Sequence, residues 1–363
     1  DGDGALDFVA GNSEPDRVYT NDGSGGFTET LTISKGSGAT RSVLLWDVDS
    51  DGAQDLVLGK SGQDVLLLGD GLGSLFDVGD DLLAGGIAAL GDLDGDGDPD
   101  VVQADPSSTP PLPTRIYENQ GFGVFAVTAN PLPTDPAVVQ SILLHDLDGD
   151  GDLDAFIGNK GLARVFRNDG SGIFAEVAGA VPSTAERIVT VEAGDFDGDN
   201  DVDLVAGQVG VGPLDRVLLL LNDGNAVFSD GGPLPPTTAL GTTNVVAVGD
   251  IEPDGDLDVI AGGIHDLQLL INQNGTGFTD GSSMLPTVSG IFPNSLDFGD
   301  VDGDADLDIY VGKGSGGDIY LRNDGAVFTD LSGTLPASSS VAHSTRLVDL
   351  DEDGALAVVG GNV

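Results

Sequence analysis

Carboxylates at alternate positions, followed by a glycine and a fourth carboxylate, recur throughout this chain. The fullest instance is Asp146-Leu-Asp-Gly-Asp-Gly-Asp-Leu-Asp154, of pattern D-x-D-x-D-G-x-x-D. Hard divalent cations take six to eight oxygens at flexible geometry, and alternate aspartates in a tight loop deliver them to one centre. Asp146, Asp148, Asp150 and Asp154 would supply side-chain oxygens and Asp152 a backbone carbonyl. Gly151 lets the backbone turn where a side chain would clash. Four like charges this close repel without a cation between them. The expectation is a Ca2+ loop.

The same spacing returns along the whole chain. It holds at Asp47, Asp49, Asp51, Asp55; at Asp92, Asp94, Asp96, Asp100; and at Asp195, Asp197, Asp199, Asp203. It holds again at Asp250, Glu252, Asp254, Asp258 and at Asp300, Asp302, Asp304, Asp308. Partial copies stand at the ends. Asp1, Asp3 and Asp7 match the third, fifth and ninth positions, and Asp349, Asp351 and Asp353 match the first three carboxylates, with Ala357 in place of the last. About one Ca2+ per repeat is expected.

A second marker keeps step. Phe27, Phe76, Phe125, Phe174, Phe228, Phe278 and Phe328 recur every 49 to 54 residues, most of them after a turn such as Asn168-Asp169-Gly170. Asn-Asp-Gly between apolar runs signals a hairpin, because these residues tolerate positive φ. One repeat reads as four short strands: A over Val139 to His145, B over Leu153 to Gly158, C over Ala163 to Arg167 and D over Ile173 to Val177. No stretch sustains a helical period. Four antiparallel strands at this period are propeller blades.

The fold class expected is therefore all-β: a seven-bladed β-propeller of four-stranded antiparallel blades, with the Ca2+ loops between strands A and B, forming a single domain over residues 1–363. The N-terminus would supply strands B to D of the first blade, and Ser344 to Val348 would return as its strand A. Ala355 to Val363 then form a surplus strand, which an eight-bladed, truncated ring would use instead.

Composition limits the partners. The 363 residues carry 61 Asp and Glu against 13 Lys and Arg, a formal charge of −48, with no Cys. A phosphate backbone needs Lys and Arg, so nucleic acid is not an expected partner. Thiolate metal sites and disulfides are ruled out. No apolar run reaches transmembrane length, so membrane insertion is not expected. The chain opens inside a motif without Met, as a fragment or processed segment would.

The repeat resembles the FG-GAP/VCBS family, the calcium-loop propellers of integrin α-subunit heads and many bacterial surface proteins. The resemblance rests on the D-x-D-x-D-G-x-x-D loops, the Val9-Ala-Gly-Asn12 end of a B strand and the Asn168-to-Phe174 hairpin, and it spans essentially the whole chain. It implies the propeller and Ca2+. It leaves function open among adhesion modules, lectin-like domains and polysaccharide lyases. Asn200 and Ala305 depart from it, standing where the loop glycine is expected.

Metal loops and Asn-Asp-Gly hairpins share one face of such a disc, and the variable B–C and D–A loops occupy the other. Most of the cations map to the variable-loop face. Lys60, Lys160, Lys313 and His265, each following a B strand, are the candidate ligand-binding residues, suited to an anionic glycan or a partner's carboxylate. The expected function is an extracellular, calcium-stabilised binding or adhesion module for a glycan or protein, because extracellular Ca2+ fills modest sites that cytosolic Ca2+ does not. A polysaccharide lyase or hydrolase on the same face, recruiting His265 with Tyr310 or Tyr320, is an alternative. A self-associating surface subunit, joined through the surplus C-terminal strand, is another. No nucleophile elbow or phosphate loop is present, and no catalytic residue is assigned.

Overall fold

In the computed structural model the described residues are 7–13, 15–21, 26–71, 74–77, 86–106, 113–128, 132, 138–210, 216–232, 234–235, 242–264, 266–288, 291–313, 317–325, 327–335 and 342–348. They form seven four-stranded antiparallel sheets. Blade 1 pairs strand A (Ala342–Val348) with strand B (Asp7–Asn12), followed by C (Asp16–Asn21) and D (Phe27–Ile33). Blades 2 to 7 each take four consecutive strands and begin at Thr40, Ile87, Val139, Ile188, Val245 and Pro293. Strand A of every blade packs on strand A of the next, and that of blade 7 packs on Ala342–Val348, so the sheets form a ring of seven. The eight-bladed alternative is thereby set aside. Ala355 to Val363 lie outside the described residues.

Blade 4 shows why the strands fall where they do. Its strands are Val139–His145, Asp154–Asn159, Arg164–Asn168 and Phe174–Glu176. Strand B is buried at every position, as are Asp55–Lys60 in blade 2 and Asp203–Gln208 in blade 5, because both faces of a blade meet a neighbour. Strand D of blade 4 lies at the rim, and Ala175 and Glu176 are exposed. Gly158, next to last in strand B, has no room for a Cβ, which would collide with Ser141 Oγ and press on Ile188 of blade 5.

The core lies between blades rather than inside one. Ile142, Ala155, Ile157 and Phe166 of blade 4 pack with Ile87, Val102 and Ile116 of blade 3. The closing seam is aromatic instead: Tyr19 and Phe27 of blade 1 meet Tyr310 and Tyr320 of blade 7, with Phe27 edge-on to Tyr320 at 6.2 Å. Two 3-10 turns, Ser282–Met284 and Ser332–Thr334, are the helical elements among the described residues. None of these is long and apolar enough to cross a membrane.

Candidate metal centres and ligand-facing surface

Each complete loop is built round its first and last carboxylates. In blade 4, Asp146 Oδ1 accepts Gly149 N at 2.8 Å and Asp146 Oδ2 accepts Gly151 N at 3.0 Å. Asp150 Oδ1 accepts Asp152 N at 3.0 Å. Asp154 is buried and receives two amides, Leu147 N at 3.2 Å and Asn168 N at 2.9 Å. The ninth-position aspartate thus ties the loop to the far end of strand C, and the apolar second residue (Leu147 here) is pulled into the core.

Burial pushes the carboxyls of Asp55, Asp100, Asp154, Asp203 and Asp258 up to about 6, against the pull of the amides they accept. Asp308 rises to about 7; burial again leads, although Tyr320 Oη also donates to Asp308 Oδ2 at 2.9 Å. Asp49, Asp94, Asp148, Asp197 and Asp302 are raised as well, by burial first and then by neighbouring carboxylates.

Five loops bring three carboxylate oxygens within 4.8 Å of one another: Asp47, Asp49, Asp55; Asp92, Asp94, Asp96; Asp146, Asp148, Asp154; Asp195, Asp197, Asp199; and Asp300, Asp302, Asp304. The donor set is all oxygen, as a hard cation requires. Asp148 Oδ1 and Asp302 Oδ1 are buried with no hydrogen-bond partner among the described residues. Buried polar atoms are almost always satisfied, so these oxygens fit a cation held by the loop. Asp51 and Asp150 stand outside the tight groups of their own loops.

The loop of blade 6 differs. Asp250, Glu252, Asp254 and Asp258 make no such group among the described residues. Position four of the other loops lies at positive φ, at Ser50, Gly95, Gly149, Gly198 and Gly303. Blade 6 has Pro253 there. Proline holds φ near −65° and has no N–H to give Asp250. The carboxylate spacing alone did not carry that signal. Asn200 and Ala305 do adopt the glycine conformation, at φ 71° and 74°, and each donates its N–H to the first aspartate as Gly151 does. In blade 1, Asp7 accepts Asn21 N at 2.8 Å. Asp1, Asp3, Asp349, Asp351 and Asp353 lie outside the described residues.

The asparagine closing strand C has a role the hairpin reading missed. Asn119, Asn168 and Asn222 each reach the carbonyl of the second loop residue in the preceding blade: Val48, Leu93 and Leu147, at 2.7–2.8 Å. Asn21 does the same to Val301 at 2.9 Å, across the closing seam. The signal was the asparagine before each Asp-Gly or Gly, which local turn chemistry explained away.

The candidate ligand residues separate. Lys60 is fully buried: its Nζ pairs with Asp16 Oδ2 at 2.5 Å and donates to Thr40 Oγ1 at 3.0 Å, across the seam of blades 1 and 2. The expectation that Lys60 faces a ligand is corrected, since its alkyl stem leaves strand B into the seam and its charge is met there. Lys160 is exposed and Lys313 half-buried. His265 lies outside the described residues. Arg17, Lys35, Arg164 and Arg216 on the same face pair with Glu29, Asp77, Glu176 and Asp230. Tyr310 and Tyr320 are buried in the seam, bonded to Asp318 and Asp308.

Among the described residues, two cavities open at the rim. One, of about 370 Å³, lies on the variable-loop side of blade 4, lined by Leu162, Arg164, Glu176, Val177 and Val181. The other, of about 300 Å³, spans the seam of blades 3 and 4 beside a metal loop, lined by Asp94, Glu118, Thr128, Ser171 and Ile173.

These features define a seven-bladed propeller with acidic loops capable of holding metal ions. FG-GAP-like repeats are matched at residues 1–58, 47–103, 92–157, 146–206 and 250–311, and the chain belongs to the FG-GAP-like repeat family, whose repeats generally bind calcium. Its fold is similar to that of an Agrocybe aegerita lectin described as recognising non-reducing terminal N-acetylglucosamine, at TM-score 0.66 and 18% identity over 96% of both chains. It is similar to a protein from Lactobacillus plantarum at TM-score 0.62 and 13% identity, over 95% of this chain and 100% of that one. It is similar also to a periplasmic gluconolactonase of Pseudomonas aeruginosa at TM-score 0.60 and 15% identity, over 95% and 99%. At these identities the likeness is one of fold. A search of curated protein sequences finds no match.

Proposed function

We propose that this chain is an extracellular, calcium-stabilised binding module that recognises a neutral glycan on its B–C and D–A loop face. The observation that carries the reading is the cavity of about 370 Å³ in blade 4, where the exposed Leu162 and the paired Arg164 and Glu176 stand together. An apolar wall with a few fixed polar groups suits a sugar, which presents C–H faces and hydroxyls at once. The ion pairing of Arg17, Lys35, Arg164 and Arg216 on this face, within a chain of charge −48, turns the reading away from an acidic polysaccharide. The likeness in fold to a glycan-binding lectin supports the same class of ligand. Calcium would be held by the five gathered loops, on the opposite face, and would supply scaffold rigidity.

The test is binding of the calcium-loaded chain to neutral glycans, beginning with N-acetylglucosamine-terminated ones. Leu162→Glu and Glu176→Ala should abolish it while leaving the melting temperature unchanged. Failure to bind any neutral glycan, or binding indifferent to both variants, sinks the reading.

A further inference from the structure

The five gathered loops are not equivalent, and one difference among them comes from one position on strand C. It is the residue just before the strand's closing asparagine or glycine, beside the second carboxylate of the loop. In blade 4 it is Arg167, whose Nε lies 3.0 Å from Asp148 Oδ2. In blade 7 it is Arg322, 3.8 Å from Asp302 Oδ2 and also 2.9 Å from Asp324 Oδ2. In blade 3 it is Glu118, which shares the inter-blade cavity with Asp94 and repels it. Blades 2 and 5 carry Leu68 and Leu221 at the same register.

Asp148 shows what this does to a cation. Its side chain is only 9% exposed, one oxygen is held by the guanidinium, and the other is buried without a hydrogen-bond partner among the described residues. The free oxygen still points to a ligand, but any ion reaching it must sit beside a fixed positive charge. At Asp94 the neighbouring charge is negative and attracts the ion. Arg167 is anchored further by a hydrogen bond to the Asn225 carbonyl of blade 5, so it does not swing clear at no cost.

We propose that, among the five gathered loops, this strand-C position grades divalent-cation affinity blade by blade: Glu118 makes the blade 3 loop the first to fill, and Arg167 and Arg322 make the loops of blades 4 and 7 the last. The inference rests on the reading of the loops as cation sites. The arginines hold their loops' second aspartates in place when no ion does, so these two loops are also the least disturbed by chelation.

The experiment is calorimetric titration of the stripped, full chain with Ca2+, with each variant checked for an unchanged circular dichroism spectrum. Arg167→Gln should tighten the weakest class of sites by roughly tenfold, the scale of one unit charge removed a few ångströms from a divalent ion, whereas Arg167→Lys should stay close to wild type. Glu118→Gln should weaken the tightest site by a similar factor. For blade 7, Tb3+ luminescence excited through Tyr320, which is bonded to Asp308 of that loop, should reach half-saturation at lower Tb3+ in Arg322→Gln. Unchanged affinities in all three charge-removing variants overturn the inference and leave the loops as cation sites. A wild-type chain that takes up no divalent cation overturns the reading beneath it.

Discussion

Asn222 donates its side-chain amide to the carbonyl of Leu147, 2.8 Å away and 75 residues earlier, and to Val202 O at 2.9 Å. The first bond crosses from blade 5 to blade 4; the second stays inside blade 5. Leu147 is the second residue of an acidic loop, so this side chain joins the Ala226 N–H, 3.0 Å from the same carbonyl, in fastening that loop to the next blade. Asn222→Ala should lower stability by about 1 kcal/mol, since it removes the amide's bonds to Leu147 O and Val202 O and leaves the former carbonyl only the Ala226 N–H. Asn225→Ala, three residues on at the exposed hairpin, should change almost nothing. Denaturant midpoints of the two variants make the comparison, and equal shifts would show that the amide is not a fastening.

Chelation and pH should act on the same groups. The ninth-position carboxyls bind protons more tightly in the folded chain, near 6 and for Asp308 near 7, than in the unfolded chain, near 4. Stability of the metal-free protein is then greatest near and below pH ~4 and falls as pH rises through about 6 to 7. Added Ca2+ at neutral pH should raise the melting temperature strongly, because it neutralises the carboxylates that have just ionised. Melting temperatures in chelator that climb from pH 4 to 7 would contradict this.

Ala305 sits at φ 74°, where the other loops use glycine or asparagine. An L-residue with a Cβ pays about 1–2 kcal/mol for that conformation, and glycine's extra unfolded-state freedom returns part of it. Ala305→Gly should therefore stabilise the protein by about 0.5–1 kcal/mol. The reverse change at the matching position, Gly151→Ala, should destabilise it. Thermal melts in saturating Ca2+ check both, and a neutral or harmful Ala305→Gly would mean the loop relaxes round its alanine.

Lys60 and Asp16 form a buried pair, so removing one partner strands the other. Lys60→Ala should cost about 3–5 kcal/mol. Lys60→Met combined with Asp16→Asn should cost clearly less than Lys60→Met alone, because no uncompensated charge remains. A double-mutant cycle on denaturant midpoints tests this, with additive costs as the outcome that would deny coupling.

The blade count, the four-strand repeat and the ring closure were legible because they follow from periodic signals: phenylalanines on strand D, aspartates at alternate positions, and apolar runs about the length of a strand, although strands B and C of blade 4 begin and end one residue later than expected. Val139–His145 is a strand in both readings for that reason. Three features were not legible. Pro253 breaks the positive-φ pattern of a loop whose acidic spacing is intact, because that pattern is a constraint on φ and not on ligand identity. Lys60 turns inward because Asp16, from the adjacent blade, is there to receive it, and no local pattern reports a neighbour 44 residues away. The asparagines of strand C serve turn and seam together, and the turn accounts for them so well that the seam is hidden.

Gly69 stands, at the seam between blades 1 and 2, where most blades have that asparagine. The same seam holds the Lys60–Asp16 pair on its opposite rim. Between the two rims lies an apolar core of Val9, Val18, Val43, Leu56 and Leu58, so this joint is closed by packing along its length and by charge at one edge.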